Sequence, residues 1–146
     1  MNSPLLVELE SFLESALHSI PQLCALKFTD SNLIRFASIQ AKFGDRINFF
    51  AGFDETLLTV RALGGRTAIC ATFSFADSIA HYRALVEAFD GHDLKKAQHH
   101  QSAIADICAK LREGGNFFAS LKRELNKAVA GEGLFFGTPR SPILIK

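Results

Sequence analysis

The chain has 146 residues, 48% hydrophobic and 21% charged, which is enough for one domain with a sizeable core and too little for two comfortable ones. Its 16 basic side chains stand against 15 acidic ones, so no one-signed field exists to draw in nucleic acid or an acidic membrane surface, and neither kind of partner is expected. No apolar stretch approaches the roughly 20 residues of a membrane span, and a soluble, cytoplasmic protein is expected.

The opening segment, MNSPLLVELESFLESALHSIP, carries Glu8, Glu10 and Glu14 where a secretory leader needs an unbroken apolar run. It reads as an amphipathic helix instead. Ser3 and Pro4 suit a cap and first turn, and Leu5, Leu9, Phe12, Leu13, Leu17 and Ile20 share one face until Pro21.

LCALKF, residues 23–28, follows as a short strand with one lysine in an apolar run. Period two puts Ala25, Lys27 and Thr29 on one face and Cys24, Leu26 and Phe28 on the other. Taken alone, Lys27 reads as an edge-strand lysine that blunts an exposed edge. Asp30 or Ser31 caps the helix NLIRFASIQAKF, whose Leu33, Ile34, Phe36 and Ile39 point to one face before Gly44. INFFAG (47–52) is a second strand, with Asp54 as the natural cap of the helix in ETLLTVRALGG. TAICAT (67–72) is a third, and Ser74 caps a helix bearing Phe75, Ile79, Tyr82, Val86 and Phe89 before Gly91. Two more helices are predicted: 93–113, with Leu94, Ala97, Ile104, Cys108 and Leu111 on one face, and 116–130, with Phe117, Leu121, Leu125 and Val129. The tail GEGLFFGTPRSPILIK reads as loop.

Apolar strands alternating with helices predict an α/β fold with a parallel sheet. Three parallel strands cannot close a barrel, and they leave the Lys27 face without a second layer. The missing part is expected in an absent front half or in another chain. In such folds the binding groups gather at the carboxyl ends of the strands. Those ends here are Lys27 with Thr29, Gly52 to Glu55, and Cys70 to Ser74. Asp54 is also explained as a helix cap, with Glu55 as a first-turn acid favoured by the helix dipole, and Thr29 as a loop-capping hydroxyl.

A lysine attacks a carbonyl only as the free amine. At its reference pKa of about 10.4 it is almost wholly charged at neutral pH. Desolvation can lower that value by up to about 3–5 units when burial is complete, which frees the amine as a nucleophile. The apolar strand supplies that condition for Lys27 only if a closed barrel surrounds it.

Cys24, Cys70 and Cys108 are odd in number and widely spaced, and they read as buried thiols of a reducing compartment. His92, His99 and His100 have poor spacing for metal ligands along one helix and read as a solvated face. No metal site is expected.

IPQLCALKFTDSNL, FFAGFDETLL, TAICATF, HYRALVEAFDGHDLKKAQ and GTPRSPI together resemble, in order and spacing, the C-terminal half of the N-acetylneuraminate lyases. These belong to the class I aldolase family of TIM barrels that includes dihydrodipicolinate synthase. The resemblance runs from about Ile20 to the end of the chain. It implies a single domain spanning 1–146, the last three βα units of a (β/α)8 barrel with C-terminal helices and without the N-terminal half. It further implies that Lys27 forms the imine with pyruvate or with the keto carbon of sialic acid, and that Thr29 contacts substrate. Gly52, Asp54 and Glu55 would match the loop that grips the sugar's polyol arm.

The reaction so implied is reversible cleavage of N-acetylneuraminate to N-acetylmannosamine and pyruvate, with no cofactor, in a homo-oligomer. The chain departs from the family at Ala71, in Cys70-Ala71-Thr72, where many lyases carry the serine of G-S-T. The G-x-T-G-E loop that holds the pyruvate carboxylate and the strand-five tyrosine that shuttles the proton do not occur, and Tyr82 lies in a helix. Two further readings stand beside the lyase: a related pyruvate aldolase with another acceptor, and a non-catalytic half-barrel remnant or truncated chain.

Overall fold

A computed structural model describes residues 8–140 of the chain, so Ser3, Pro4, Leu5 and the last six residues of the predicted tail lie outside the described residues. Helix α1 spans Leu9–Ser19 and buries Leu13, Ala16 and Leu17, while Phe12 and Ile20 stay half exposed. Strand β1, Ala25–Phe28, leads to α2, Leu33–Phe43. The cap of α2 is neither Asp30 nor Ser31 but Asn32, whose side chain accepts from the Arg35 amide at 2.9 Å. Asp30 supports it from behind, accepting from the Asn32 amide and from the Arg35 guanidinium. Phe36, Ile39 and Phe43 form the buried face of α2, but Ile34, expected inside, is 83% exposed because, two residues before Phe36, it points to the opposite side of the helix.

Strand β2, Asn48–Ala51, is followed by a 3-10 turn, Asp54–Thr56, and helix α3, Leu57–Ala62. Strand β3 is confined to Thr67–Ala68, shorter than the predicted 67–72, because after Ile69 the chain leaves the ladder and winds into a 3-10 turn, Ala71–Ser74. Helix α4 spans Ala76–Asp90 without a side-chain cap, so the expected capping role of Ser74 is not realised. Its seam also differs from the expected one. Ser78, Leu85 and Ala88 are buried: Ser78 hydrogen-bonds Thr72 of the preceding 3-10 turn, and Leu85 joins the core against which Tyr82 and Val86 also pack. Helix α5, Leu94–Glu113, is capped by Asp93 and buries Ala97, Ile104, Cys108 and Leu111, as the pattern predicts, but leaves Leu94 exposed. Helix α6, Phe117–Ala128, is capped by Asn116. The tail returns over it: Lys122 Nζ donates to the carbonyls of Phe136 and Thr138, and Asn126 accepts from the Phe136 amide.

The three strands form one parallel sheet in the order β1-β2-β3, with Leu26 opposite Phe49, Lys27 opposite Phe50 and Ala51 opposite Ala68. Parallel partners share a face, so Leu26, Phe28, Phe49 and Ala51 point one way, into the helices. There Phe36 meets Phe28 and Phe49 edge to face at centroid distances of 5.2 and 6.0 Å, a favourable aromatic geometry. Ala25, Lys27, Asn48 and Phe50 point the other way. The first three are exposed and Phe50 is half-buried, so the sheet is packed on one side and open on the other. Of the cysteines, Cys108 is buried as expected and Cys70 is half-buried, but Cys24 is exposed because it precedes the strand pairing and the helices do not cover it. Among the described residues, no helix is long and apolar enough to cross a membrane.

Candidate functional site

Lys27 projects from the open face of β1, exposed, near the carboxyl end of the strand. Thr29 follows directly and is also exposed. The Gly52 amide donates to the Phe28 carbonyl at 2.8 Å, drawing the end of β2 against the end of β1. A Cβ at Gly52 would collide with Thr29 Oγ1 and lie 2.8 Å from the Phe28 carbonyl oxygen, so only glycine permits the approach. Two of the expected site residues, Thr29 and Gly52, are thus in direct contact.

Asp54 has a different setting. It is 4% exposed, and its carboxylate accepts from the Thr72 hydroxyl, which lies 2.6 Å from Ser78 Oγ. No hydrogen bond from the Asp54 side chain caps the turn it begins. Its main chain is held as well, since Gln101 on α5 donates to the Asp54 carbonyl at 3.0 Å and accepts from the Leu58 amide at 2.8 Å. Glu55, partly exposed, pairs with Arg112. A buried carboxylate is costly unless hydrogen bonds or a cation compensate it. Thr72 provides that for Asp54 and Arg112 for Glu55.

Cys108, from α5, brings its sulfur within 4.8 Å of both carboxylates. Burial pushes its thiol up to about 12, the carboxylates of Asp54 and Glu55 add to the rise, and Arg112 opposes it. Cys70 donates weakly to the Ala51 carbonyl at 3.6 Å. Burial raises its thiol most, Asp54 raises it further, and the ammonium of Lys27 pulls the other way. Ala71, half-buried beside Thr72, offers no hydroxyl there.

The structure therefore joins Thr29 to Gly52 and links Asp54, Glu55, Cys108, Thr72 and Arg112 in one cluster, while Lys27 is exposed on the open face of β1. Thr72 was within the third strand end read from the sequence, whereas Ser78, Gln101 and Arg112 were not singled out. Their positions on helices give them no local signal.

The chain matches the dihydrodipicolinate synthetase family over residues 7–146. It belongs to that family. N-acetylneuraminate lyase of Gallus gallus is 25% identical over 139 residues, covering 94% of this chain and 44% of the relative. The Homo sapiens N-acetylneuraminate lyase is 26% identical over 138 residues, covering 94% and 42%. Among solved structures, N-acetylneuraminate lyase of Proteus mirabilis superposes with a TM-score of 0.75 at 25% identity, covering 94% of this chain and 44% of that one. The chain thus spans less than half the length of these members of the dihydrodipicolinate synthetase family. Its three parallel strands, with helices against one face, are consistent with part of the family's TIM barrel.

Proposed function

We propose that the chain contributes the imine-forming part of a class I aldolase of the N-acetylneuraminate lyase type, with Lys27 as nucleophile. The observation that carries this reading is the placement of Lys27 on the open face of a parallel strand, near its carboxyl end and beside the locked Thr29–Gly52 contact. Nζ of Lys27 attacks the keto carbon of N-acetylneuraminate, and loss of water leaves a protonated imine. The hydroxyl on the departing carbon gives its proton to a base supplied by the strands that close the site, the bond between the next two carbons breaks, its electron pair flows toward the imine nitrogen, and N-acetylmannosamine leaves as the aldehyde. The remaining enamine takes a proton, and hydrolysis frees pyruvate and the lysine. The imine serves as the electron sink, so the step needs no metal or organic cofactor.

In this proposal Thr29 contacts the substrate and Gly52 keeps the rim low enough for it, while Asp54 and Glu55 shape the side that meets the polyol arm. The remaining strands close around Lys27, whether they belong to the same polypeptide or to another. Assembly as a homo-oligomer and a cytoplasmic setting belong to the same reading. Ala71 and the engagement of Asp54 by Thr72 favour a second reading, a related pyruvate aldolase with another acceptor. The exposure of Lys27 favours a third, family descent without activity in this chain by itself.

Borohydride reduction in the presence of pyruvate tests the proposal. The expected result is a covalent pyruvate adduct on Lys27 by peptide mass, absent from Lys27→Ala. A folded chain that traps no pyruvate leaves only the third reading. Product analysis with N-acetylneuraminate against other keto acids then separates the first from the second.

A further inference from the structure

His81 on α4 and His100 on α5 face each other across the helix seam, with their Nδ1 atoms 3.0 Å apart and their ring centroids 5.3 Å apart. Both residues are half-buried. Two neutral rings presenting lone pairs to each other would repel, so one nitrogen carries a proton that the other accepts. A metal ion can take that proton's place. An ion bonded to both nitrogens at about 2.0–2.1 Å would see the observed spacing under an angle of about 91–97°. A tetrahedral angle would need the nitrogens about 3.3–3.4 Å apart at the same bond length. The observed spacing, also that of an ordinary hydrogen bond, lies nearer the right angle of square-planar or tetragonal ions, such as nickel(II) and copper(II) with imidazole ligands, than the tetrahedral angle.

Burial first, and then His81, His99 and Lys96, lower the pKa of His100. His99 meets His100 edge to face, at 5.3 Å between centroids.

We propose that His81 and His100 form a two-imidazole clasp for a divalent transition metal of tetragonal preference, bridging α4 and α5, with water in the remaining positions. The site is separate from the strand-end residues and independent of the aldolase reading.

Calorimetric titration of the full chain with nickel(II) near neutral pH tests it. The expected result is one site whose affinity falls about tenfold or more in His81→Gln and in His100→Gln, since even outer partners of a metal ligand cost that much. His99→Gln and His92→Gln bind as the parent does. Nickel raises the melting temperature of the parent and leaves that of the His81→Gln/His100→Gln double variant unmoved. Binding that survives in the double variant overturns the proposal. Should a variant fail to fold, the copper(II) spectrum of the parent decides: splitting from two imidazole nitrogens supports the clasp, and a spectrum without it overturns it.

Discussion

At the scale of single residues, the Cys108 thiol sits where a negative charge is least welcome, buried against Asp54 and Glu55. Its pKa rises from an ordinary value of 9.0 to about 12. Above pH 9 the unfolded chain gives up this proton while the folded chain keeps it, so the unfolded state binds fewer protons and stability falls with rising pH. The contribution is fully present below pH 9 and is lost between about 9 and about 12. Urea unfolding across that range should therefore give a falling midpoint, and Cys108→Ala should flatten the fall. Cys70 shifts in the same direction, so some slope remains. An identical slope in parent and variant would place the alkaline sensitivity elsewhere. The exposed Cys24 offers an internal contrast: an alkylating reagent should modify it first in the native chain and reach Cys108 only on unfolding.

At the scale of elements, side-chain caps decide where helices begin. Asn116 accepts from the Ala119 amide at 3.1 Å and starts α6, whereas Ser74, the expected cap of α4, is exposed and makes no cap bond. Asn116→Ala should cost about 1 kcal/mol by urea denaturation, and Ser74→Ala should be silent within about 0.5 kcal/mol. The reverse order would mean that α4 relies on its serine after all. The same contrast explains what could be read in advance. The three βα units and the buried face of α5 were legible because strand period and helix period are written locally. The buried face of α4 was legible only in part, since large apolar residues suggested Phe75, Ile79, Tyr82, Val86 and Phe89, while the fully buried positions are Ser78, bonded to Thr72, and Leu85 and Ala88. The site divides in the same way. Lys27, Thr29 and Gly52 follow from strand ends. The bonds of Asp54 to Thr72, 18 residues away, and to Gln101, 47 residues away, have no signature in any short window.

At the scale of the whole molecule, the sheet is packed on one side and open on the other. Phe49 and Phe50 are neighbours on β2, so they test this division with the same substitution. Phe49 is 1% exposed and packs on Phe36 within the core, whereas Phe50 lies beside Lys27 on the open face and is half-buried. Truncating a buried phenylalanine removes its transfer energy and leaves a cavity, so Phe49→Ala should cost about 3–5 kcal/mol. Phe50→Ala removes contacts from one side only and opens no enclosed cavity, so it should cost less than about half as much, in proportion to the smaller area it buries. Urea unfolding of the two variants measures both. Equal losses would mean that the Lys27 face is packed in solution by a layer absent from this structure, and the lysine would then be withdrawn from water in the chain as it stands. A small loss for Phe50→Ala, with a large one for Phe49→Ala, means that the fold stands on its helix side alone and leaves the other face free for whatever closes over the amine.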